Sequence, residues 1–151
     1  MQASTAPWGG VDAVCVDASI VVSLVTRGAS GSPFAAAWGQ WHQSGLKPVA
    51  PSLLMYEVVN ALHRYVHHGM LLPEEANDAL DAIVGLGIEL RSDVELHPRA
   101  LELAGKLGLA AAYDAHYLAL AERLGAEFWT ADRRLQQAVG ATLPWVRLLE
   151  A

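Results

Sequence analysis

The feature that most constrains this chain is the alternation of short, valine-rich apolar runs with longer segments of helical periodicity, their boundaries marked by Gly, Pro or a capping residue. Asp12 to Val16 reads as a strand, and the Asp17-Ala18-Ser19 behind it caps a helix through Ile20 to Val25. Ser32-Pro33 starts a second helix with Phe34, Trp38 and Trp41 at helical spacing, ended by Gly45. Lys47 to Ala50 is a second strand, and Pro51-Ser52 opens a long helix that stops near His68-Gly69. Pro73-Glu74-Glu75 begins a helix with an Ala79, Ile83, Leu86 stripe, closed by Gly87. Ile88 to Leu90 is a third strand, followed by helices over Pro98 to Leu107 and Tyr113 to Leu124, separated at Gly108. Glu127 to Thr130 is a fourth strand, Asp132 to Val139 a short turn or helix, and Trp145 to Leu149 a fifth strand.

Strands this short and apolar, alternating with helices, imply right-handed crossovers and a parallel sheet covered on both faces. The expected fold is therefore a three-layer α/β/α domain with a parallel central sheet. In such sheets the ligand crevice lies beyond the carboxyl ends of the strands. Asp17 and Asp132 directly follow the first and fourth strands, Glu57 lies early in the helix after the second, and Asp114 starts a later helix. The topology thus lets four carboxylates converge on one crevice.

Length and composition narrow the class. With 151 residues the chain has the size of one domain able to bury its own core. Pro, Gly or charged residues interrupt every apolar run before it could cross a bilayer, so no membrane role is expected. Met1 to Gly10 has neither a basic start nor a long apolar centre and does not read as a secretory signal, so the expected location is the cytoplasm. Cys15 lies inside an apolar run and reads as a small core residue. The net charge of -6 argues against a general basic coat for nucleic acid, though not against a local basic groove. The six histidines lack the spacing of a zinc motif.

Like charges gathered closely raise one another's pKa values and hold protons unless cations compensate. Magnesium takes oxygen ligands, keeps waters and activates one of them against a phosphodiester. Each carboxylate also has a plainer role. Asp17 and Asp114 can cap helices, Asp132 can form a turn, and Ser19 shares the ambiguity of Asp17. Glu57 is harder to dismiss, because it sits among Leu54, Met55, Val58 and Val59. Asn60, one turn on, either steadies Glu57 by a hydrogen bond or is polar filler. Arg64, Arg133 and Arg134 are solvated charges or, beside an acidic crevice, contacts to a nucleic-acid backbone. His116 reads as a packed or surface histidine, and Trp38, Trp41 and Phe34 as core or partner interface.

At these residues the chain resembles the PIN-domain ribonucleases, specifically the VapC-type toxins of bacterial and archaeal toxin-antitoxin pairs. The matching pieces are Val16-Asp17-Ala18-Ser19, Tyr56 to Leu62, Tyr113 to Ala121 and Thr130 to Leu135, in family order from Val14 to Leu149. The resemblance implies a PIN domain over residues 11–151 behind a ten-residue extension, 1–10. It implies a magnesium- or manganese-dependent endoribonuclease with Asp17, Glu57, Asp114 and Asp132 as its acidic set and Ser19 or Thr130 as supporting hydroxyls. It further implies a homodimer, a cognate VapB-type antitoxin, and structured RNA substrates such as transfer or ribosomal RNA, cut in single-stranded loops.

A receiver-like or haloacid-dehalogenase-like domain would also place aspartates at strand ends. Here Asp17 has no second Asp two residues on, and no lysine follows a late strand. A non-catalytic PIN-fold module that only binds RNA or an antitoxin is the remaining alternative. Keeping four carboxylates without a cation would cost it stability for no gain.

Overall fold

The computed structural model describes residues 12–28 and 30–151, so the amino-terminal extension lies outside the described residues. Five strands and seven helices alternate as the sequence leads one to expect: β1 (Ala13–Val16), α1 (Ala18–Arg27), α2 (Pro33–Gln43), β2 (Lys47–Pro51), α3 (Leu53–His67), α4 (Pro73–Val84), β3 (Glu89–Arg91), α5 (Leu96–Leu107), α6 (Tyr113–Leu124), β4 (Glu127–Thr130), α7 (Arg133–Val139) and β5 (Val146–Leu148). The sheet is wholly parallel, in the order β3-β2-β1-β4-β5.

That order fixes where function can sit. The chain winds outward from β1 through β2 to β3, then returns to the other side of β1 and winds outward again through β4 to β5. The reversal leaves a crevice at the carboxyl ends of β1 and β4, the topological switch point where ligands of open α/β sheets bind. Val16 is in register with Trp129, so the next residues, Asp17 and Thr130, stand side by side at that crevice.

Helices α1 to α4 pack together, while α5 and α6 pair and α6 lies against β1, β2 and β4. The core between sheet and helices is apolar: Val14, Cys15, Val16, Val49 and Phe128 from the strands meet Ile20, Leu54, Val58, Leu118 and Leu120. Cys15 is buried and Trp41 packs on Trp38 and Trp129, so both take the core roles their patterns suggest. Helices α5 and α6 close at Gly108 (φ 65°) and Gly125 (φ 62°), left-handed positions that a side chain would strain.

The departures from expectation are local. Helix α5 begins at Leu96, two residues before Pro98, because a proline in the first turn forfeits only an N–H that has no intrahelical acceptor. Helix α4 stops at Val84 with Gly85 as its cap, and Gly87 (φ 69°) turns the chain into β3. Strand β3 pairs one residue later than Ile88 to Leu90, and β5 is shorter at both ends.

Candidate active site

Asp17 is the centre of the polar network at the switch point. Its backbone leaves β1 in an extended conformation and its carboxylate accepts the Ile20 N–H at 3.2 Å, so it does cap α1. It also accepts from the Ser19 hydroxyl at 2.5 Å on Oδ1 and from the Thr130 hydroxyl at 2.5 Å on Oδ2. Those hydroxyls are themselves held: Ser19 Oγ accepts the Ala131 N–H at 2.8 Å, and Thr130 Oγ1 accepts the Asp132 N–H at 3.0 Å. Each hydroxyl has one proton, and a lone pair occupied by a backbone N–H leaves that proton aimed at Asp17. The cap and the site are thus one structure, with β4 locked to the start of α1 through a shared carboxylate.

Asp17 and Thr130 are the only two buried polar or charged residues among those described, at 6% and 0% exposure. Burial pushes the Asp17 carboxyl up to about 6; the bonds from Ser19, Thr130 and Ile20 pull it back, and the Asp114 charge pushes it further up. Asp114 links the group. Its charge raises the pKa of Glu57, after burial and against the hydrogen bond from Tyr117. Burial and the Asp132 charge raise that of Asp114. The structure therefore brings Asp17, Glu57 and Asp132 within electrostatic reach of Asp114.

Asp114 is not a cap. The residue preceding α6 is Ala112, and the Asp114 carboxylate accepts no hydrogen bond among the described residues. Asp132 does cap, accepting the Arg134 and Leu135 N–H groups on Oδ1 at 2.9 and 3.2 Å and leaving Oδ2 uncommitted. Asn60 makes no hydrogen bond to Glu57. The donor to Glu57 Oε1 is the buried hydroxyl of Tyr117, at 2.6 Å. Tyr117 stacks on Phe128 at 5.7 Å, and its own ionisation is pushed far up, first by burial and then by the Glu57 charge. It lies three residues after Asp114 in a run that reads as core. The signal available was that a buried tyrosine hydroxyl usually finds a partner.

No basic side chain among the described residues neutralises this group. The other half-buried carboxylates each have one: Glu89 pairs with Lys47 at 3.5 Å and Asp93 with Arg91 at 2.9 Å. Asp17, Glu57 and Asp114, with the exposed Asp132, form no ion pair among the described residues. Among those residues no three His, Cys, Asp or Glu side chains already form a set that could hold an ion. An all-oxygen, net negative and loosely spaced donor set suits a hard cation that retains waters, and does not suit zinc. The residues fit magnesium or manganese in donor chemistry.

A cleft of about 530 Å³ opens beside the acids, its wall including Ser19, Glu57, Asn60, Arg64 and Ala131. Arg133 is not part of the cleft wall but pairs with Glu150, which is, while Arg134 is exposed in the first turn of α7. His116 bonds the Ala112 carbonyl at 2.8 Å and His97 at 3.0 Å, a packing role away from the carboxylates' hydrogen bonds.

A wholly parallel sheet between helices, with carboxylates at its switch point, defines an open α/β domain. The PIN domain profile matches residues 14–141, and the chain belongs to the PIN domain family. It is 36% identical over 87 residues to the ribonuclease VapC3 of Pyrobaculum aerophilum, a match spanning 56% of this chain and 66% of that protein. In structure it is similar to PAE2754 of Pyrobaculum aerophilum, with TM-score 0.62 and 27% identity over 83% of this chain and 85% of the other. It shares its fold with VapBC2 of Rickettsia felis, solved on a DNA fragment from its promoter (TM-score 0.66, 12% identity, 89% and 96% covered). It also shares it with VapC20 of Mycobacterium tuberculosis, a toxin that cleaves the sarcin-ricin loop (TM-score 0.61, 16% identity, 89% and 99% covered). No helix among the described residues is long and apolar enough to cross a membrane.

Proposed function

We propose that this chain is a metal-dependent endoribonuclease of the VapC toxin type, which hydrolyses phosphodiester bonds in structured RNA. The observation that carries this reading is the cluster of buried Asp17 with half-buried Glu57 and Asp114 at the switch point, which no basic side chain among the described residues pairs with. Asp17, Glu57, Asp114 and Asp132 would hold Mg2+ or Mn2+, which when bound activates a water against the phosphodiester and offsets charge on the leaving oxygen. The chain's own contribution is placement. Ser19 and Thr130 fix both oxygens of Asp17, Tyr117 fixes one oxygen of Glu57, and capping fixes Asp132. The substrate class extends to transfer or ribosomal RNA cut in an exposed single-stranded loop, where the backbone can enter the crevice.

The same reading makes a VapB-type antitoxin the partner, a homodimer the working form and the cytoplasm the location. Tyr56 and Val59, 77% and 50% exposed on α3, supply apolar surface for such a dimer.

The test is incubation of total RNA with the purified protein in magnesium, manganese or chelator, beside Asp17→Asn. Discrete fragments that need metal and disappear in the variant are expected. Binding of RNA without cleavage in any metal, by a folded wild type, would transfer the assignment to a non-catalytic PIN-fold module.

A further inference from the structure

The chain carries ten basic residues, and seven of them are tied into ion pairs: Lys47, Arg91, Arg99, Lys106, Arg123, Arg133 and Arg147. Among the described residues Arg27, Arg64 and Arg134 have no acidic partner. Two of these three, Arg27 and Arg64, line the same cleft, which also contains Ser19 and Glu57. Both stand in the last turn of their helices, α1 and α3, where the helix dipole favours a cation. Position along each helix is therefore unremarkable by itself. Their convergence from two helices on one cavity, in a chain with a net charge of -6, is not accounted for by that preference.

The rest of the wall suits a nucleotide. Val22, Phe34 and Tyr65 give an apolar side, and Ser23 and Asn60 offer hydrogen-bonding groups. Two acids also face the cleft. Glu57 belongs to the acidic cluster and is bonded to Tyr117, while Glu150 is taken up by Arg133. The cleft thus has an acidic end at Glu57 and an uncompensated basic side at Arg27 and Arg64, with a volume of about 530 Å³, in the range of pockets that enclose a small ligand.

We propose that this cleft is a flanking-nucleotide subsite, in which Arg27 and Arg64 together hold a backbone phosphate of single-stranded RNA next to the one presented to the acidic cluster. The inference rests on the nuclease reading for its substrate and adds the residues that position it. A phosphate held there tethers the strand by two charge-assisted contacts while the acids, which repel RNA by themselves, await the scissile phosphate. Free arginines beside unneutralised acids make the site attractive to a polyanion only on one side, which sets the side from which the strand approaches the acids.

The test uses a fluorescein-labelled single-stranded RNA dodecamer of mixed sequence and the full chain carrying Asp17→Asn, so that the probe is not cut. Binding is titrated by anisotropy across a salt series for this parent, for Arg27→Gln/Arg64→Gln, for Arg27→Lys/Arg64→Lys, and for Lys47→Gln/Lys106→Gln as a control of equal net charge. Loss of two phosphate-directed charges should make the slope of log affinity against log salt shallower by about 1.4, equivalent to about 25-fold weaker binding at 0.1 M salt. The lysine pair should keep the parental slope, and the control should match the parent. Equal losses in the glutamine pair and the control, or no loss in either, overturn the subsite. Wild-type cleavage run in parallel separates the two readings: arginine-dependent binding without any cleavage keeps the subsite and removes the nuclease, whereas metal-dependent cleavage indifferent to both arginines does the reverse.

Discussion

The Tyr117 hydroxyl donates to Glu57 Oε1 over 2.6 Å, joining helices α6 and α3, sixty residues apart in sequence, across the carboxyl end of the sheet. Both helices bear acids of the proposed site, so this bond sets the distance between one half of the cluster and the other. Tyr117→Phe keeps the buried ring and its stacking on Phe128 while removing the donor. Partners that orient metal-binding side chains typically cost about 10- to 100-fold in metal affinity or activity when removed. A loss of that size in Mn2+ affinity by calorimetry is expected, with the melting temperature little changed. Unaltered Mn2+ affinity in the variant would show that Glu57 does not depend on Tyr117.

Thr130 tests how the network is paid for in stability. Its hydroxyl serves the Asp17 carboxylate and the Asp132 N–H at once, in full burial. Thr130→Val conserves shape and strands both partners, which should cost about 1–3 kcal/mol because buried groups left unsatisfied are penalised. Ser19→Ala should cost less, since Ser19 is only half buried. Urea midpoints for the two variants check the order. A Thr130→Val midpoint equal to wild type would mean that the Asp17 carboxylate finds water instead.

The fold was legible because its punctuation is local. Gly108, Gly125, Ser32-Pro33 and Pro73 mark helix ends by properties of single residues, and period-2 or period-3.6 patterns fill the gaps. Strand ends at β3 and β5 shifted because pairing with a neighbour, not the apolar run, decides where a strand stops. The positions of the acidic residues at strand ends and helix starts were legible, but their hydrogen-bonding roles were not. Asp17 and Asp132 cap the helices that follow β1 and β4, and Asp114 does not cap at all. Pairing was invisible too: Arg133 and Arg64 look alike in sequence, yet Glu150 occupies one and the cleft exposes the other, and Arg27 carried no motif to draw notice.

Stability of the metal-free protein should fall as pH rises from about 4 to about 6. The Asp17 carboxyl has a folded pKa near 6 against 3.8 for a free aspartate, so in that window the folded state holds a proton the unfolded state has lost. The unfolded state then binds fewer protons, and the slope of unfolding free energy with pH is negative. At about 1.4 kcal/mol per pH unit of separation, the loss approaches roughly 3 kcal/mol by pH 7. Glu57 and Asp114 act in the same direction. Thermal melts in chelator between pH 4.5 and 7.5, compared with Asp17→Asn, isolate the contribution. The variant should lose most of the decline, and added Mg2+ should restore stability to wild type near neutral pH. Parallel pH profiles for the two proteins would sink this account of Asp17.

Asp132 allows the capping role and the charge to be separated at one position. Asn caps a helix about as well as Asp, because both present a side-chain oxygen to the first N–H groups. Asp132→Asn should therefore keep the bonds from the Arg134 and Leu135 N–H groups and unfold at nearly the wild-type urea concentration. Asp132→Ala removes the cap and should cost about 1 kcal/mol. If Oδ2, which carries no hydrogen bond in the network, serves the acidic site, then both variants should lose RNA cleavage to a similar extent despite their different stabilities. Equal activity of Asp132→Asn and wild type would assign Asp132 to capping alone and reduce the proposed acidic set to Asp17, Glu57 and Asp114.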